Sequence, residues 1–268
     1  MYDWPEVRWA TDALWDSLAQ RLRDAGIAAP AALDRSRPPE RVWRDPGLVF
    51  GQTCGYPLVT TLWRRVALIA IPRYGVEGCD GAAYSSMIVV RADDPAAALA
   101  DLDGRTAAIN DAASLSGMLA LRAAVADLGP ARPVFADVRR SGSHRASMAM
   151  VAAGEADVCA VDAVCWALAQ RHEPAAAALR VIGRSPMMPA LPFIAARATS
   201  PQRLAGIRAA LVDVLGDGGL ADVRRALFLE GCVVADADAY RPVVAMSRRA
   251  AAPMAPAARQ TAAPHARR

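Results

Sequence analysis

The middle of the chain alternates apolar strand-like segments with helical segments, and this alternation most constrains its fold. Strands are predicted at residues 106–110, 133–139 and 157–162, and helices follow them at 116–128, 143–153 and 164–171. Two further segments, 66–72 and 86–91, are apolar without interruption, which is typical of strands buried on both faces of a largely parallel sheet. The sequence therefore predicts an α/β fold.

Helical periodicity and turn residues place the remaining elements. Leu14, Leu18 and Leu22 recur at helical spacing in a predicted helix over residues 11–25, which Gly26 ends. The other predicted elements are strands at 48–52, 179–183 and 191–197, a proline-rich turn at 37–40, a helical or irregular stretch at 57–63, and helices at 201–215 and 220–229.

The order of these elements predicts two α/β lobes joined by two crossovers. We place the second lobe at residues 88–188 and build the first lobe from residues 1–87 and 189–245. Residues 246–268 are rich in Ala, Pro and Arg without an apolar period, so we expect a disordered C-terminal tail there. Ligands of open α/β sheets bind beyond the carboxyl ends of the strands, which predicts a ligand cleft between the lobes.

Composition argues against several classes of function. The net charge of +4 rests on 31 arginines without a lysine, and these are scattered among acidic residues, unlike a nucleic-acid-binding face. No apolar run reaches the roughly eighteen residues of a membrane span. The first residues show neither the basic nor the apolar region of a secretion signal, so the chain as written is expected in the cytosol.

The five cysteines form no C-x-x-C pair, and three histidines are too few for a zinc set, so no metal or cofactor is expected. Cys159 and Cys232 lie in apolar runs and are expected to be packing residues. Cys54 and Cys79 lie instead in glycine-containing loops, where a role in the core is less natural.

Two strand–turn–helix segments predict an anion site. In the first, Ser114, Ser116 and Gly117 form a turn rich in donors at the start of a helix; in the second, Ser143 and His144 open another. The first amides of a helix have no intrahelical partner, and the helix dipole is positive at that end. Two such termini facing one cleft are suited to a small oxyanion.

Five segments, in this order and spacing, carry a resemblance to a known family: QTCGYP, YSSMIVVRADDP, INDAASLSGMLALR, SGSHRASMAMVAAGEADV and AVDAVCWAL. The chain resembles the phosphonate, phosphite and phosphate substrate-binding proteins of ABC transporters over about residues 1–234. This resemblance implies the two-lobed type II periplasmic-binding fold and capture of a small phosphonate-like or phosphate-like oxyanion. It also implies an ABC permease as partner, a monomer that closes on a hinge, and a periplasmic location if the true start lies upstream.

The resemblance assigns roles to seven residues. It implies that Ser114, Ser116 and Gly117 cradle the oxyanion and that His144 donates to it. It further implies that Tyr84 and Tyr56 close on the ligand and that Asp162 accepts from an amine or hydroxyl of its organic part. It also suggests that the loops of Cys54 and Cys79 lie together, with Cα atoms at the roughly 4.4 to 6.8 Å that a disulfide requires.

Other interpretations of the same residues remain open. The serines and Asp162 could be ordinary helix caps, and the tyrosines ordinary half-buried aromatic residues. A second class of function is an enzyme of the same fold, in which Cys54, His144 and Asp162 act as nucleophile, base and orienting group; we expect no enzymatic activity because few acid–base groups are present. A third class is a cytosolic ligand-sensing domain.

Overall fold

A computed structural model of the protein describes residues 2–129, 134–250 and 254. The strands of this part are β1 (Gly51–Gln52), β2 (Val66–Tyr74), β3 (Cys79–Asp80), β4 (Ala83–Tyr84), β5 (Ser86–Arg91), β6 (Thr106–Ile109), β7 (Asp137–Arg140), β8 (Val158–Asp162), β9 (Leu179–Arg184), β10 (Met188–Pro189), β11 (Phe193–Ala196) and β12 (Leu229–Val233). Its α-helices are α1 (Arg8–Asp24), α2 (Pro39–Trp43), α3 (Gly55–Pro57), α4 (Ala120–Ala126), α5 (His144–Ala152), α6 (Ala163–His172), α7 (Pro201–Gly216), α8 (Ala221–Ala226) and α9 (Arg241–Arg249). Two π-helices complete the framework: Leu58–Leu62 follows α3, and Leu115–Leu119 leads into α4.

Two larger sheets carry the core. The first has the strand order β1-β11-β2-β12 and the second β7-β6-β8-β5-β9, while β10, β4 and β3 form a small third sheet. Strands β2, β5 and β8 are almost entirely buried, so side chains cover both faces of each sheet. The predicted α/β class is confirmed, and β2 and β6 lie in different sheets. The predicted lobe boundaries stay a prediction; the one at 87/88 falls within β5.

The expectation of a largely parallel sheet is wrong for both apolar segments that suggested it. Strand β2 pairs antiparallel with β11 and β12, and β5 pairs antiparallel with β8 and β9. Among the described strands, the parallel pairs are those of β6 with β7 and of β6 with β8. A continuous apolar segment reports burial on both faces and carries no information about strand direction. The partners of β2 come from distant parts of the chain, so no crossover helix forces them to run parallel.

The helices begin and end close to the predicted positions, with one exception near the C-terminus. Helix α1 ends beside Gly26, whose φ of +73° is the left-handed conformation expected of a helix stop. The helix predicted at 220–229 ends at Ala226, because the chain reverses at Phe228, with φ of +55°, and then pairs with β2 as β12. Strand β12 and helix α9 were not predicted, nor were the short strands β3, β4 and β10, and the residues after the start of the predicted turn at 37–40 form helix α2.

The predicted disordered tail begins too early. Residues 246–249 belong to helix α9, whose side chains Val243 and Met246 are buried. The amide of Phe135 donates to the carbonyl of Met254 at 2.9 Å. The other residues assigned to the tail, 251–253 and 255–268, lie outside the described residues, as does the start of the strand predicted from residue 133. Helix α9 is therefore part of the fold because its apolar side chains are covered by the core.

In the described part of the chain, no helix combines the length and the apolar character needed to cross a membrane.

Candidate functional site

A cavity of about 490 Å³ opens beside the carboxyl ends of β6 and β8. Its wall is assembled mainly from segments far apart in sequence: the N-terminal residues, α2, α3 with the π-helix after it, the turn after β6, the start of α5 and the end of β8. The residues that line it include Tyr2, Trp4, Glu40, Trp43, Arg44, Cys54, Asn110, Asp111, Ser114, Ser116, His144, Arg145 and Asp162. Four of the seven predicted site residues thus share one wall: Ser114, Ser116, His144 and Asp162.

The first helix amides after β6 are bound within the protein. The amide of Gly117 donates to the Ser114 hydroxyl at 3.0 Å, which makes Ser114 the N-cap of the π-helix. The amide of Leu115 donates to the Cys54 sulfur at 3.2 Å. These contacts satisfy donors that the sequence analysis assigned to a ligand. At this turn the groups that face the cavity are consequently side chains more than backbone amides.

Ser116 and His144 form a close pair across the two turns. The Ser116 hydroxyl lies 2.7 Å from Nε2 of His144, so each residue orients the other. Burial lowers the pKa of His144 to about 4, opposed by the neighbouring backbone of Ala160, so the imidazole is neutral at pH 7. A neutral imidazole with a proton on Nε2 donates to Ser116 and leaves the serine proton free for another acceptor.

Asn110 is a site residue that the sequence analysis missed. It follows β6 directly and lines the cavity, and its side-chain oxygen is buried without a hydrogen-bond partner among the described residues. That oxygen lies 1.9 Å from the point where a Cβ on Gly117 would stand, so only glycine at 117 permits this approach. The position after a parallel strand could have signalled Asn110, because ligands bind at that edge.

Asp162 is held by the protein itself. Its carboxylate accepts from the Tyr2 hydroxyl at 2.9 and 2.8 Å and caps α6 through the amides of Val164 and Cys165. Burial raises the pKa of Asp162 to about 6, although these hydrogen bonds oppose the shift. Tyr2 also stacks edge-to-face on Tyr74, with ring centroids 5.3 Å apart. The contact from Tyr2 had no local sequence signal, because 160 residues separate it from Asp162.

Tyr84, Tyr56 and Gly117 do not line the cavity. Tyr84 is 2% exposed, and its hydroxyl has no hydrogen-bond partner among the described residues. Burial raises the pKa of this phenol well above its usual range, while the nearby Ser116 hydroxyl opposes the shift. Tyr56 is half-buried on α3, where its carbonyl accepts from Thr60 at 2.8 Å. Tyr84 thus stands behind Ser116, away from the cavity surface.

The contacts of Cys54, His144 and Asp162 do not form the relay that the enzyme hypothesis requires. The described hydrogen bonds of these side chains lead to Leu115, Ser116 and Tyr2, and none joins two of the three. Burial also raises the pKa of the Cys54 thiol, the opposite of what an activated nucleophile needs.

The cysteines carry no disulfide and no metal group. All five are free, so no bond joins Cys54 to Cys79, and the expected proximity of their Cα atoms stays a prediction. Across residues 2–129 and 134–250, no three His, Cys, Asp or Glu side chains are grouped so that they could hold a metal ion.

Comparison with known proteins agrees with this architecture. A family model described as "ABC transporter, phosphonate, periplasmic substrate-binding protein" matches residues 52–240. No curated protein matches the sequence.

Solved structures share the fold at low sequence identity. PhnD1 from Prochlorococcus marinus in complex with methylphosphonate is 13% identical, with a TM-score of 0.71 over 90% of this chain and 93% of its own. A binding protein component of an ABC phosphonate transporter from Pseudomonas aeruginosa is 16% identical, with a TM-score of 0.70 over 89% and 81%. XAC2383 from Xanthomonas citri bound to ATP is 19% identical, with a TM-score of 0.69 over 92% and 94%. The expected two-lobed architecture is thereby confirmed.

Proposed function

Because the chain belongs to the periplasmic substrate-binding proteins of ABC phosphonate transporters, we propose that its cavity binds the phosphonate or phosphate-like end of a small ligand. Its role as a solute-binding protein follows from the family, whose model matches residues 52–240. The observation that supports the location of the site is the Ser116–His144 pair, which joins the starts of two helices at one cavity wall.

In this proposal the oxyanion is held by neutral donors. Ser116 donates its hydroxyl proton to a ligand oxygen while His144 fixes the orientation of that hydroxyl from Nε2. The first amides of α5, at the positive end of the helix dipole, add donors from the second turn. Asn110 contributes its side-chain amide, and Ser114 holds the geometry of the first turn. An oxyanion that accepts several short hydrogen bonds is bound without a cation in direct contact.

The other predicted site residues have supporting roles. Gly117 leaves room for Asn110, and Tyr84 packs behind Ser116. Tyr56 lies in α3, two residues after Cys54, the N-cap of that helix. The Asp162 carboxylate accepts a hydrogen bond from the organic part of a ligand only when Tyr2 releases one of its two contacts with that carboxylate.

We further propose that the protein binds without turnover and delivers its ligand, as a monomer, to a permease. The low nucleophilicity of a buried Cys54 thiol supports the absence of covalent chemistry. Light scattering with and without ligand tests the monomer, and co-purification with the membrane subunits of a transporter tests the partner.

Calorimetry tests the ligand class. We expect methylphosphonate to bind, and a ligand at a hundredfold its Kd to stabilise the folded protein by about 2.7 kcal/mol. Ser116→Ala should weaken binding by about 1.5 to 3 kcal/mol, the usual cost of losing a hydrogen bond to a charged group.

The matched control is Ser147→Ala. Ser147 is a fully buried serine of α5 whose hydroxyl lies 2.7 Å from that of Ser141, outside the cavity wall. Equal affinity of the Ser116 variant and the parent protein, or an equal loss in both variants, would contradict the site.

A further inference from the structure

The cavity is larger than an oxyanion alone requires. Its volume of about 490 Å³ lies within the range of roughly 300 to 1,000 Å³ typical of pockets that enclose whole drug-sized ligands. The donors assigned to the oxyanion come from the turn after β6 and the start of α5. The remaining wall comes from α2, the N-terminal residues, α3 with the π-helix after it, and the end of β8, and it is left for the organic part of the ligand.

Helix α2 presents one face to this space. Pro39, Glu40 and Trp43 of α2 line the cavity together with Arg44, the C-cap residue directly after the helix, and their spacing of one, four and five positions places them on the same side of a helical turn. Arg41, on the same helix, does not line the cavity. The difference between Arg44 and Arg41 is thus one of orientation, since both are exposed arginines of one short segment.

The charges of the cavity wall single out Arg44. Arg145 is paired with Glu6 at 2.8 Å and also with Glu173, and its guanidinium stands 4.8 Å from the ring centre of Trp4. His144 is neutral at pH 7. The side chain of Arg44 forms no ion pair with a described residue, although Glu40 lies four positions earlier, at a spacing that permits one.

The carboxylates of the same wall are mostly engaged elsewhere. Asp111 is paired with Arg140, and Asp162 is bound by Tyr2. Glu40 remains, so this part of the wall carries one negative and one positive side chain, and a ligand carboxylate bound there is compensated by Arg44. A guanidinium that has no protein partner presents a planar fork of donors that fits a carboxylate in two parallel hydrogen bonds.

We infer, building on the proposed function, that Arg44 binds a second acidic group on the organic part of the ligand, so that the preferred substrates are phosphonates that also carry a carboxylate. Arg44 is then the specificity-determining residue of the site. The oxyanion end is held by neutral donors after β6 and at α5, and the carboxylate end by Arg44, directly after α2. Ligand length is set by the distance between these two walls.

Calorimetry with three probes tests this assignment: methylphosphonate, phosphonoacetate and 3-phosphonopropionate. We expect the parent protein to bind at least one phosphonocarboxylate tenfold or more tightly than methylphosphonate. Arg44→Gln should remove that preference, by roughly tenfold to a hundredfold, and change the affinity for methylphosphonate far less than that. Arg44→Lys keeps the charge without the fork and should retain part of the preference.

Arg41→Gln is the matched control, with the same change of charge on the same helix. It should leave all three affinities unchanged at moderate ionic strength. A preference that is lost in Arg44→Gln and kept in Arg41→Gln is then due to a local contact of Arg44 and not to the overall charge of the protein. Equal binding of methylphosphonate and both phosphonocarboxylates by the parent protein would overturn the role of Arg44 and leave the proposed function standing. An equal effect of the two glutamine variants would do the same. Failure of all three probes to bind would refute the proposed function and, with it, this inference.

Discussion

Two buried titratable groups of the site should make opposite contributions to the pH dependence of stability. The pKa of Asp162 is raised by burial from 3.8 to about 6, and the pKa of His144 is lowered by burial from 6.5 to about 4. Between pH 4 and 6 the folded protein holds the Asp162 proton more tightly than the unfolded chain, so the free energy of unfolding falls as pH rises. Over nearly the same range the unfolded chain binds the His144 proton more tightly than the folded protein does, so the free energy of unfolding rises with pH.

The two contributions are similar in size. Each pKa differs by about 2 between the folded and the unfolded chain, and a difference of 1 corresponds to about 1.4 kcal/mol, so each group contributes about 3 kcal/mol. In the parent protein these opposite slopes largely cancel between pH 4 and 6.5. The cancellation hides both groups until one of them is removed.

Asp162→Asn and His144→Gln expose the two slopes separately. Asparagine still caps α6, and glutamine still offers an amide to Ser116, so neither variant needs to lose its local hydrogen bonding. Relative to the parent protein, Asp162→Asn should gain about 3 kcal/mol of stability as pH rises from 4 to 7, and His144→Gln should gain about 3 kcal/mol as pH falls over that interval.

Urea unfolding followed by tryptophan fluorescence at half-unit steps of pH measures both differences. Other titrating groups are common to all three proteins and cancel when the variants are compared with the parent. The reasoning is refuted if either difference is independent of pH, or if the two variants diverge from the parent in the same direction.

Three further outcomes follow from the packing around the site. Gly117→Ala should reduce methylphosphonate affinity about tenfold or more by calorimetry, because its Cβ would stand 1.9 Å from the Asn110 oxygen; Gly183→Ala, where nothing lies within 4 Å, is the control. Gly55→Ala should lower the free energy of unfolding in urea by about 1 to 3 kcal/mol, because its Cβ would stand 2.9 Å from Leu115, and unchanged stability would argue against this contact. Burial raises the pKa of Cys54 and raises that of Cys79 to about 12, so maleimide at pH 8 should label both thiols far more slowly in the native than in the unfolded protein, as mass spectrometry of digests can show.

Much of the fold was readable from local patterns. The apolar segments 66–72 and 86–91 predicted the buried strands β2 and β5, and the helical spacing of leucines predicted α1 up to Gly26. These signals are local because hydrophobic periodicity and left-handed glycines act within one element. The turns after β6 and β7 were likewise visible as small and hydroxylated residues before helices, which is why three predicted site residues, Ser114, Ser116 and His144, share the cavity wall.

The partners of these residues were decided only by the tertiary structure. Nothing near Asp162 in sequence indicates that Tyr2 binds its carboxylate, and nothing near Leu115 indicates that the sulfur of Cys54 takes its amide. Strand direction was likewise decided only by the tertiary structure, because β2 pairs with strands more than a hundred residues away in the sequence.

The chain by itself therefore determined which segments become strands and helices and which side chains stand at their ends. The packing of distant segments determined which donors remain free for a ligand and which are already satisfied. The physical reason is that a buried polar group must find a hydrogen-bond partner, and the partner it finds is whichever group the fold brings within about 3 Å.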